Sequence, residues 1–250
     1  MSPDEFFATC PQVAVALSGG TDSAYLLYLA ARYATRVRAY FVRSAFQTPQ
    51  DEADARAVCR ALAVELSVVP VDVLACREVA ENPKDRCYHC KKLLFTAIRA
   101  AAERDGFPVL LDGTNASDDP ADRPGMRALG ELFVVSPLRL FGWTKAEIRA
   151  RAGEAGIPVW DKPAAACLAT RIPAGDPITP AKLAAVRSAE EKLAEFGFFD
   201  FRVRRSADGG AKIQICREQF PLIQEKRTQI LQALGADFSS VTLDLRGRDE

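Results

Sequence analysis

A chain of 250 residues is long enough for one domain of ordinary size and a smaller one. Its 33 basic and 33 acidic residues balance, which argues against a general nucleic-acid surface with its basic excess. No stretch approaches the roughly 18 uncharged apolar residues of a membrane span, and the N-terminus lacks a basic signal-peptide start. We therefore expect a cytoplasmic protein in which the seven cysteines are poor candidates for disulfides, and in which any cysteines that cluster serve metal binding or catalysis.

The first two-thirds of the chain alternate apolar runs with amphipathic segments. Strands are predicted over 13–17, 37–42, 68–74, 109–111 and 132–135. Helices are predicted over 21–34, 48–66 and 88–103 and from 144 to about 156. This alternation predicts an α/β domain over 1–160, with a parallel sheet and helices on both faces.

Prolines interrupt the pattern beyond residue 157. We interpret residues 161–180 as a linker that also carries function, because periodicity is weak there and loops often hold functional side chains. The remaining pattern predicts helices over 181–196 and up to about 234, and strands over 199–205, 212–216 and 241–245. Residues 181–250 are therefore predicted to form a small α+β domain for substrate binding or oligomerisation.

A turn of six residues, Ser18-Gly19-Gly20-Thr21-Asp22-Ser23, joins the first predicted strand to the first helix. Its glycines let the backbone approach a phosphate, which the N–H groups of the helix start would hold. The three hydroxyl groups add donors, and the Asp22 carboxylate suits a bridging Mg²⁺. A Walker A motif is absent. The order resembles the pyrophosphate (PP) loop, whose enzymes split ATP into AMP and pyrophosphate and adenylate an oxygen; a simple helix cap is the alternative.

The rest of a nucleotide site is predicted at neighbouring strand ends. Gly113, Thr114 and Asn115 follow the fourth predicted strand and are assigned to nucleotide binding. In the loop beyond them, Asp118, Asp119 and Asp122 are either metal ligands or solvated side chains; the sequence leaves both interpretations open.

Three cysteines form a candidate metal centre. Cys87 and Cys90 have Cys-x-x-Cys spacing at a predicted helix start, and Cys167 lies in the linker. Two thiolates at this spacing suit one metal centre, and a third would leave one iron of a 4Fe–4S cluster open; zinc and a redox dithiol are alternatives. His89 is interpreted as a spacer. The other cysteines are predicted to be structural: Cys10, Cys59, Cys76 and Cys216.

Together these motifs resemble the LarE family, the ATP-dependent sulfurtransferases of nickel-pincer nucleotide cofactor biosynthesis. The resemblance covers nearly the whole chain. The segments that carry it are Ser-Gly-Gly-Thr-Asp-Ser at 18–23, Arg-Cys-Tyr-His-Cys-Lys at 86–91, Asp-Gly-Thr-Asn at 112–115, Asp-Arg-Pro-Gly at 122–125, Cys-Leu-Ala-Thr-Arg-Ile-Pro at 167–173 and Arg-Val-Arg at 202–204. The first is common to many families, but the combination is specific.

The resemblance implies that the chain uses ATP and Mg²⁺ to adenylate the carboxylates of pyridinium-3,5-biscarboxylic acid mononucleotide, and converts them to thiocarboxylates. In some family members the cysteine that matches Cys167 gives up its own sulfur. Others have two more, matching Cys87 and Cys90, and bind a 4Fe–4S cluster that carries an added sulfide. The full triplet favours the cluster type, with Cys167 and Asp22 as catalytic residues, a separate sulfide source and a homo-oligomer (hexameric in the family).

The same resemblance assigns Arg202 and Arg204 to the substrate phosphate. Their i, i+2 spacing places both on one face of a strand, although two solvated arginines would show the same spacing. The family also has an acidic metal ligand in the helix predicted over 181–196, and both Glu190 and Glu191 fit that position. A solvated helix face would explain both residues equally.

Other functions share part of the pattern. A tRNA thiolation enzyme shares the loop and a three-cysteine cluster but usually needs a basic RNA-binding surface, which the zero net charge disfavours. An amidating synthetase would leave the cysteines unused. A nucleotide or iron–sulfur sensor would bind without turnover, and pyrophosphate release separates it from an enzyme.

Overall fold

The computed structural model describes residues 1–119, 125–163 and 166–248. Its helices are α1 (Pro3–Thr9), α2 (Thr21–Tyr33), α3 (Pro49–Ala61), α4 (Arg77–Ala80), α5 (Arg86–Arg104), α6 (Gly125–Glu131), α7 (Pro137–Leu140), α8 (Lys145–Glu154), α9 (Pro180–Glu195) and α10 (Phe220–Leu234). Its strands are β1 (Gln12–Ala16), β2 (Arg36–Arg43), β3 (Leu66–Pro70), β4 (Val109–Leu111), β5 (Arg202–Arg205), β6 (Ala211–Gln214) and β7 (Val241–Leu243). Short 3₁₀ helices span Leu168–Arg171 and Arg217–Gln219.

The chain forms two compact units. The first contains Met1–Val73 and Asp85–Lys162, and the second contains Leu74–Lys84 and Pro163–Glu250. The structural division thus falls after Lys162 and assigns an early segment to the second unit, whereas the sequence predicts boundaries at 160 and 180. None of the described helices is long and apolar enough to cross a membrane.

The first unit is built on a parallel four-stranded sheet in the order β3-β2-β1-β4. This confirms the predicted α/β fold with a parallel sheet. A sheet of this order places the end of β1 beside the end of β4, where loops from both strands meet.

The predicted strand over 132–135 is wrong. Only an isolated parallel bridge joins Val135 to Leu111. Phe133 has a left-handed φ of 50°, which extended backbone does not allow, and Pro137 soon begins α7. The predicted helix over 48–66 is also too long, because Ala63 adopts a left-handed φ of 52° before β3 begins.

Each face of this sheet covers its own apolar core, because strand side chains alternate between faces. Val13 and Val15 of β1 pack with α2, α3 and α8. Ala14 packs on the other face with residues of α5 and α6. Burial of one Leu or Val side chain stabilises the fold by about 1.5–3 kcal/mol, so the two cores hold β1, and the loop after it, in a fixed position.

The second unit contains a three-stranded sheet in the order β5-β6-β7, together with α9 and α10. β5 and β6 are antiparallel, and β6 and β7 are parallel. This confirms the predicted small α+β fold. Segment 74–84 joins it through buried Asn82, whose Nδ2 donates to Pro173 O at 2.8 Å and Asp176 O at 3.0 Å.

Candidate functional site

The loop of residues 18–23 leaves the carboxyl end of β1 and enters α2. Ser23 Oγ accepts from Ser18 N–H at 3.1 Å and donates to Gly20 O at 3.1 Å, which closes the loop on itself. The N–H of Gly20 lies 3.4 Å from Ser18 Oγ, a long contact, and no side chain caps the N-terminus of α2. Uncapped N–H groups at a helix start form a site suited to phosphate.

Two glycines allow this loop to pack closely. Gly19 has a φ of +78°, and a Cβ there would lie 2.3 Å from the carbonyl oxygen of Asp51. A Cβ on Gly113 would lie 2.8 Å from the Ser23 nitrogen. Gly113 therefore lets the chain after β4 lie directly against the loop, as its predicted place in the nucleotide site requires.

Thr21 has a different use from the predicted phosphate donor. Its hydroxyl is buried and donates to Val159 O at 2.7 Å. The side chain thus fixes the start of α2 to a segment 138 residues further along the chain. Because the hydroxyl already donates to Val159 O, the backbone N–H of Thr21 is the group that would bind a phosphate.

Asp22 combines a partner with an unsatisfied oxygen. Asn115 Nδ2 donates to Asp22 Oδ2 at 3.1 Å. The other oxygen, Oδ1, is buried and has no hydrogen-bond partner among the described residues. Burial raises the pKa of Asp22, and Asp118 adds to that rise, while Lys145 and the Asn115 bond oppose it. An unpartnered buried carboxylate oxygen fits a magnesium ligand.

Asp112, the first residue of the Asp-Gly-Thr-Asn segment, organises the end of β4. It is 5% exposed and accepts from Thr114 Oγ1 and Ser136 Oγ, both at 2.5 Å. Thr114 therefore positions the strand end through its side chain. Asn115, 1% exposed, connects this group to Asp22.

The acidic loop residues divide in position. Asp118 is buried, and its Oδ2 accepts the Asn115 N–H at 3.1 Å. Asp119 is exposed. Asp122 lies outside the described residues.

Cys87 and Cys90 are the second and fifth residues of α5, as predicted for a helix start. The Cys87 thiol is exposed and accepts from Arg86 Nη2 at 3.3 Å, and Cys90 is half-buried. His89 contacts Asp85 at 3.3 Å, which agrees with its interpretation as a spacer. Within residues 1–119, 125–163 and 166–248, no group of three His, Cys, Asp or Glu side chains is arranged to hold one metal ion.

Cys167 belongs to the second unit. It is exposed and immediately precedes the 3₁₀ helix Leu168–Arg171, with its carbonyl accepting from the Thr170 N–H at 3.0 Å and hydroxyl at 2.9 Å. The carbonyl of Cys167 is thus anchored to the following turn, while the residue is exposed.

Arg202 and Arg204 lie on one face of β5, as their spacing predicts. Arg204 donates to Gln214 Oε1 at 2.6 Å and to Thr170 O at 2.8 Å. Burial, together with the nearby charges of Arg248, Arg171 and Arg204, lowers the pKa of Arg202 to about 10. A guanidinium destabilised by other guanidinium groups marks a place where an anion would be favoured.

Two carboxylates balance part of this positive charge. Glu190 accepts from Arg171 Nε at 2.7 Å and from the Val203 N–H at 3.0 Å, so it joins α9 to β5. Asp200 pairs with Arg248 at 2.7 Å. Glu191, the neighbouring candidate on α9, is exposed. Sequence reasoning missed Arg171 and Arg248, which come from separate segments and share no motif with β5.

The comparisons with known proteins agree with this geometry. The family described as asparagine synthase matches residues 9–116, which include the loop and both strand ends. The pyridinium-3,5-bisthiocarboxylic acid mononucleotide synthase of Lactiplantibacillus plantarum is 31% identical over 94% of this chain and 86% of its own. An uncharacterized protein of Synechocystis is 33% identical over 97% of this chain and 92% of its own. The tRNA-specific 2-thiouridylase MnmA of Thermotoga maritima is 28% identical over 60% of this chain and 54% of its own.

The parallel sheet, the loop after β1 and these relatives define a PP-loop enzyme of the ATP-dependent sulfurtransferase class. Within that class the identity to the Lactiplantibacillus synthase extends over nearly the whole of both chains. The chain belongs to the LarE family.

Proposed function

We propose that the protein converts the carboxylates of pyridinium-3,5-biscarboxylic acid mononucleotide to thiocarboxylates at the expense of ATP. This proposal rests on one observation. A single LarE-family chain combines a PP loop, an exposed cysteine (Cys167) and an arginine-rich strand. A substrate with carboxylates and a phosphate would use all three.

In the first half of the reaction, a carboxylate oxygen of the substrate attacks the α-phosphorus of ATP. Pyrophosphate leaves, and an acyl adenylate forms. The loop residues from Ser18 to Ser23 would bind the departing phosphates through backbone N–H groups. Asp22 Oδ1 and solvent would hold Mg²⁺, which supplies positive charge to the phosphates, and Asn115 orients the carboxylate through its bond to Oδ2.

In the second half, a sulfur nucleophile attacks the acyl carbon and AMP leaves. Sulfur suits this step because it is ionised near neutral pH more readily than oxygen. If hydrosulfide supplies the sulfur, one proton is released and the product is the thiocarboxylate. Cys167 in its exposed position would take part in this transfer.

We propose Cys87, Cys90 and Cys167 as ligands of a 4Fe–4S cluster. The support is the Cys-x-x-Cys pair near the N-terminus of α5 and the exposure of Cys87 and Cys167. Such a cluster, when bound, would carry a sulfide on its open iron. In the alternative, the Cys167 thiolate attacks the acyl carbon and AMP leaves. A base then removes the Cα proton of Cys167, its Cβ–S bond breaks, and the thiocarboxylate leaves dehydroalanine behind.

We assign Arg202 and Arg204 to the phosphate of the mononucleotide. Arg202 is half-buried among like charges, a state that a phosphate would relieve. The contacts of Arg204 with Gln214 and Thr170 hold its guanidinium in one orientation, which lowers the entropy lost on binding.

One experiment tests the adenylation and the cluster together. Anaerobically purified protein is assayed for iron and acid-labile sulfide, then given ATP, Mg²⁺, the mononucleotide and sulfide. We expect AMP, pyrophosphate and several turnovers per chain, with Cys167 intact by mass spectrometry. ADP and phosphate as products would overturn the adenylation. A single turnover, with Cys167 lighter by about 34 Da as expected for dehydroalanine, would replace the cluster by the sacrificial route.

Matched variants extend this experiment to the ligands. Cys87→Ala, Cys90→Ala and Cys167→Ala should each lose iron, whereas Cys76→Ala, another partly exposed cysteine, should retain it. Full iron content and full turnover in both the Cys87 and Cys90 variants would rule the cluster out.

A further inference from the structure

Lys162, the last residue of the first unit, reaches back to the PP loop. Its Nζ donates to Gly19 O at 3.2 Å, to Asp51 Oδ1 at 3.0 Å and to Asp54 Oδ2 at 2.6 Å. About a fifth of the lysine side chain is exposed, at 21%. The contact with the loop spans 143 residues of sequence, and nothing assigned so far to the site explains it.

The loop carbonyl that Lys162 holds belongs to the peptide between Gly19 and Gly20. In a trans peptide the C=O and the N–H point in opposite directions. A hydrogen bond that fixes Gly19 O on Lys162 therefore turns the Gly20 N–H towards the opposite side, where Ser18 Oγ lies 3.4 Å away. That N–H belongs to the set of donors at the start of α2.

Gly19 has the conformational freedom to lose this orientation. Glycine populates φ above and below zero about equally, so a peptide that follows it rotates at low cost. The observed φ of +78° is therefore one of several accessible states. An outside contact is needed to keep it populated before the nucleotide arrives.

The two carboxylates keep Lys162 in place and charged. Asp51 Oδ2 also accepts from the Thr48 N–H and hydroxyl, so this carboxylate belongs to the cap of α3. Asp54 Oδ1 is held by Gln50 at 2.7 Å. Burial alone would lower the pKa of Lys162, but the bonds and charges of Asp54 and Asp51 together raise it. The ammonium group is thus a rigid point between α3 and the loop.

We propose that Lys162 is a positioning residue that fixes the Gly19–Gly20 peptide with its N–H directed at the phosphates of ATP. This inference rests on the proposed use of the loop for ATP but not on the identity of the sulfur acceptor. Lys162 itself need not touch the nucleotide. Its removal would leave the fold and the adenosine contacts intact and would weaken only the phosphate contacts.

Lys182 provides a matched control in the second unit. Its ammonium group pairs with Asp176 and donates to Pro177 O at 2.9 Å, and 24% of its side chain is exposed. It therefore combines a carboxylate and a backbone carbonyl as Lys162 does, but belongs to the other unit. Lys162→Met and Lys182→Met remove the same charge and keep similar side-chain volume.

The test measures binding of ATP·Mg²⁺ and of AMP to each variant by calorimetry, without sulfide or mononucleotide. We expect Lys162→Met to weaken ATP binding about tenfold, or about 1.4 kcal/mol, while AMP binding changes less than about twofold. Lys162→Arg, which keeps the charge, should recover part of the loss. Lys182→Met should bind both nucleotides as the wild type does, even if its unfolding temperature falls equally.

The outcomes separate the inference from the proposed function. Equal weakening of ATP and AMP in Lys162→Met, or wild-type binding of both, would overturn the positioning role. If the wild type itself binds ATP no more tightly than AMP, the assignment of the loop to phosphate fails, and the role of Lys162 fails with it. Should Lys162→Met not fold, Asp54→Asn replaces it, with the same selective loss of ATP affinity expected and equal affinities again contradicting the role.

Discussion

The two units build their candidate anion sites from different groups. In the first unit, the donors are backbone N–H groups of the loop and of the start of α2, beside the half-buried carboxylate of Asp22. In the second unit, the donors are side chains of arginines on and around β5, partly balanced by Glu190. A backbone site depends on geometry and requires a bound cation, whereas a side-chain site depends on charge and tolerates small shifts.

The largest effect is therefore expected from Asp22. Asp22→Asn keeps the bond from Asn115 but removes the charge that would hold Mg²⁺, so turnover should fall about 10²–10³-fold. Formation of AMP and pyrophosphate measures it. Ser206→Ala is the control, because it removes a polar group from a turn of the second unit and should leave turnover unchanged. An Asp22→Asn enzyme with more than about a tenth of wild-type turnover would show that the backbone site needs no cation there.

The same variant should have the opposite effect on stability. Burial raises the native pKa of Asp22 above its ordinary value of 3.8. The folded state therefore favours the protonated carboxyl. The resulting contribution to the free energy of unfolding is fully present below pH 3.8 and is lost as the pH rises through the native pKa. At pH 7, without metal or nucleotide, the ionised side chain thus opposes folding. Asp22→Asn should increase the free energy of unfolding at pH 7, and an unchanged or lower value in urea titrations would contradict this reasoning.

The next effect concerns the arginine site. Arg202→Gln and Arg204→Gln should each remove a charge-assisted contact of about 1.5–3 kcal/mol, and the KM of the mononucleotide should rise about tenfold or more. The KM of ATP should not change. Arg205→Gln is the matched control, since Arg205 lies on the other face of β5 near the ring of Phe238. Unchanged mononucleotide KM in both test variants would leave the arginines as solvated or structural side chains.

In the first unit, the elements of the candidate site could be predicted from the sequence because its donors are consecutive residues of one loop. A run of apolar residues, two glycines and a helix start are local features, and β1, the loop and α2 lie where these features predict. The uses of Thr21 and Lys162 could not be predicted, because their partners are joined by packing across more than a hundred residues. The strand predicted over 132–135 was wrong for a different reason. Its apolar run suits a strand, but the left-handed backbone at Phe133 does not.

Of the arginines in this region of the second unit, the sequence predicted the two that share a strand, and it named Glu190 and Glu191 as alternatives on the helix. Alternation places Arg202 and Arg204 on one face whatever their surroundings. Arg171, Arg248 and Glu190 reach the same region from a 3₁₀ helix, the C-terminal segment and α9. A site assembled from dispersed side chains leaves no short motif, so sequence reasoning from one chain did not identify Arg171 and Arg248.

The smallest effect distinguishes the two glutamates that the sequence could not separate. Glu190 accepts from Arg171 and from the Val203 N–H, whereas Glu191 is exposed on the same helix. In Glu190→Gln the amide oxygen still accepts a hydrogen bond, but the charge that strengthens the contact with Arg171 is lost. We expect the free energy of unfolding to fall by about 1 kcal/mol, the usual difference between a charged and a neutral hydrogen bond.

Glu191→Gln is its matched control and should change the stability by less than about 0.5 kcal/mol, as exposed substitutions usually do. Urea unfolding of both variants at one pH and salt concentration gives the comparison. If Glu190 serves the arginine cluster as a counter-charge, its variant should also be less sensitive to added salt than the wild type, because salt screens a charge pair more than a neutral bond. Equal stability of the two variants would mean that the arginines of the second unit are held in place by the backbone and by Gln214, not by charge balance.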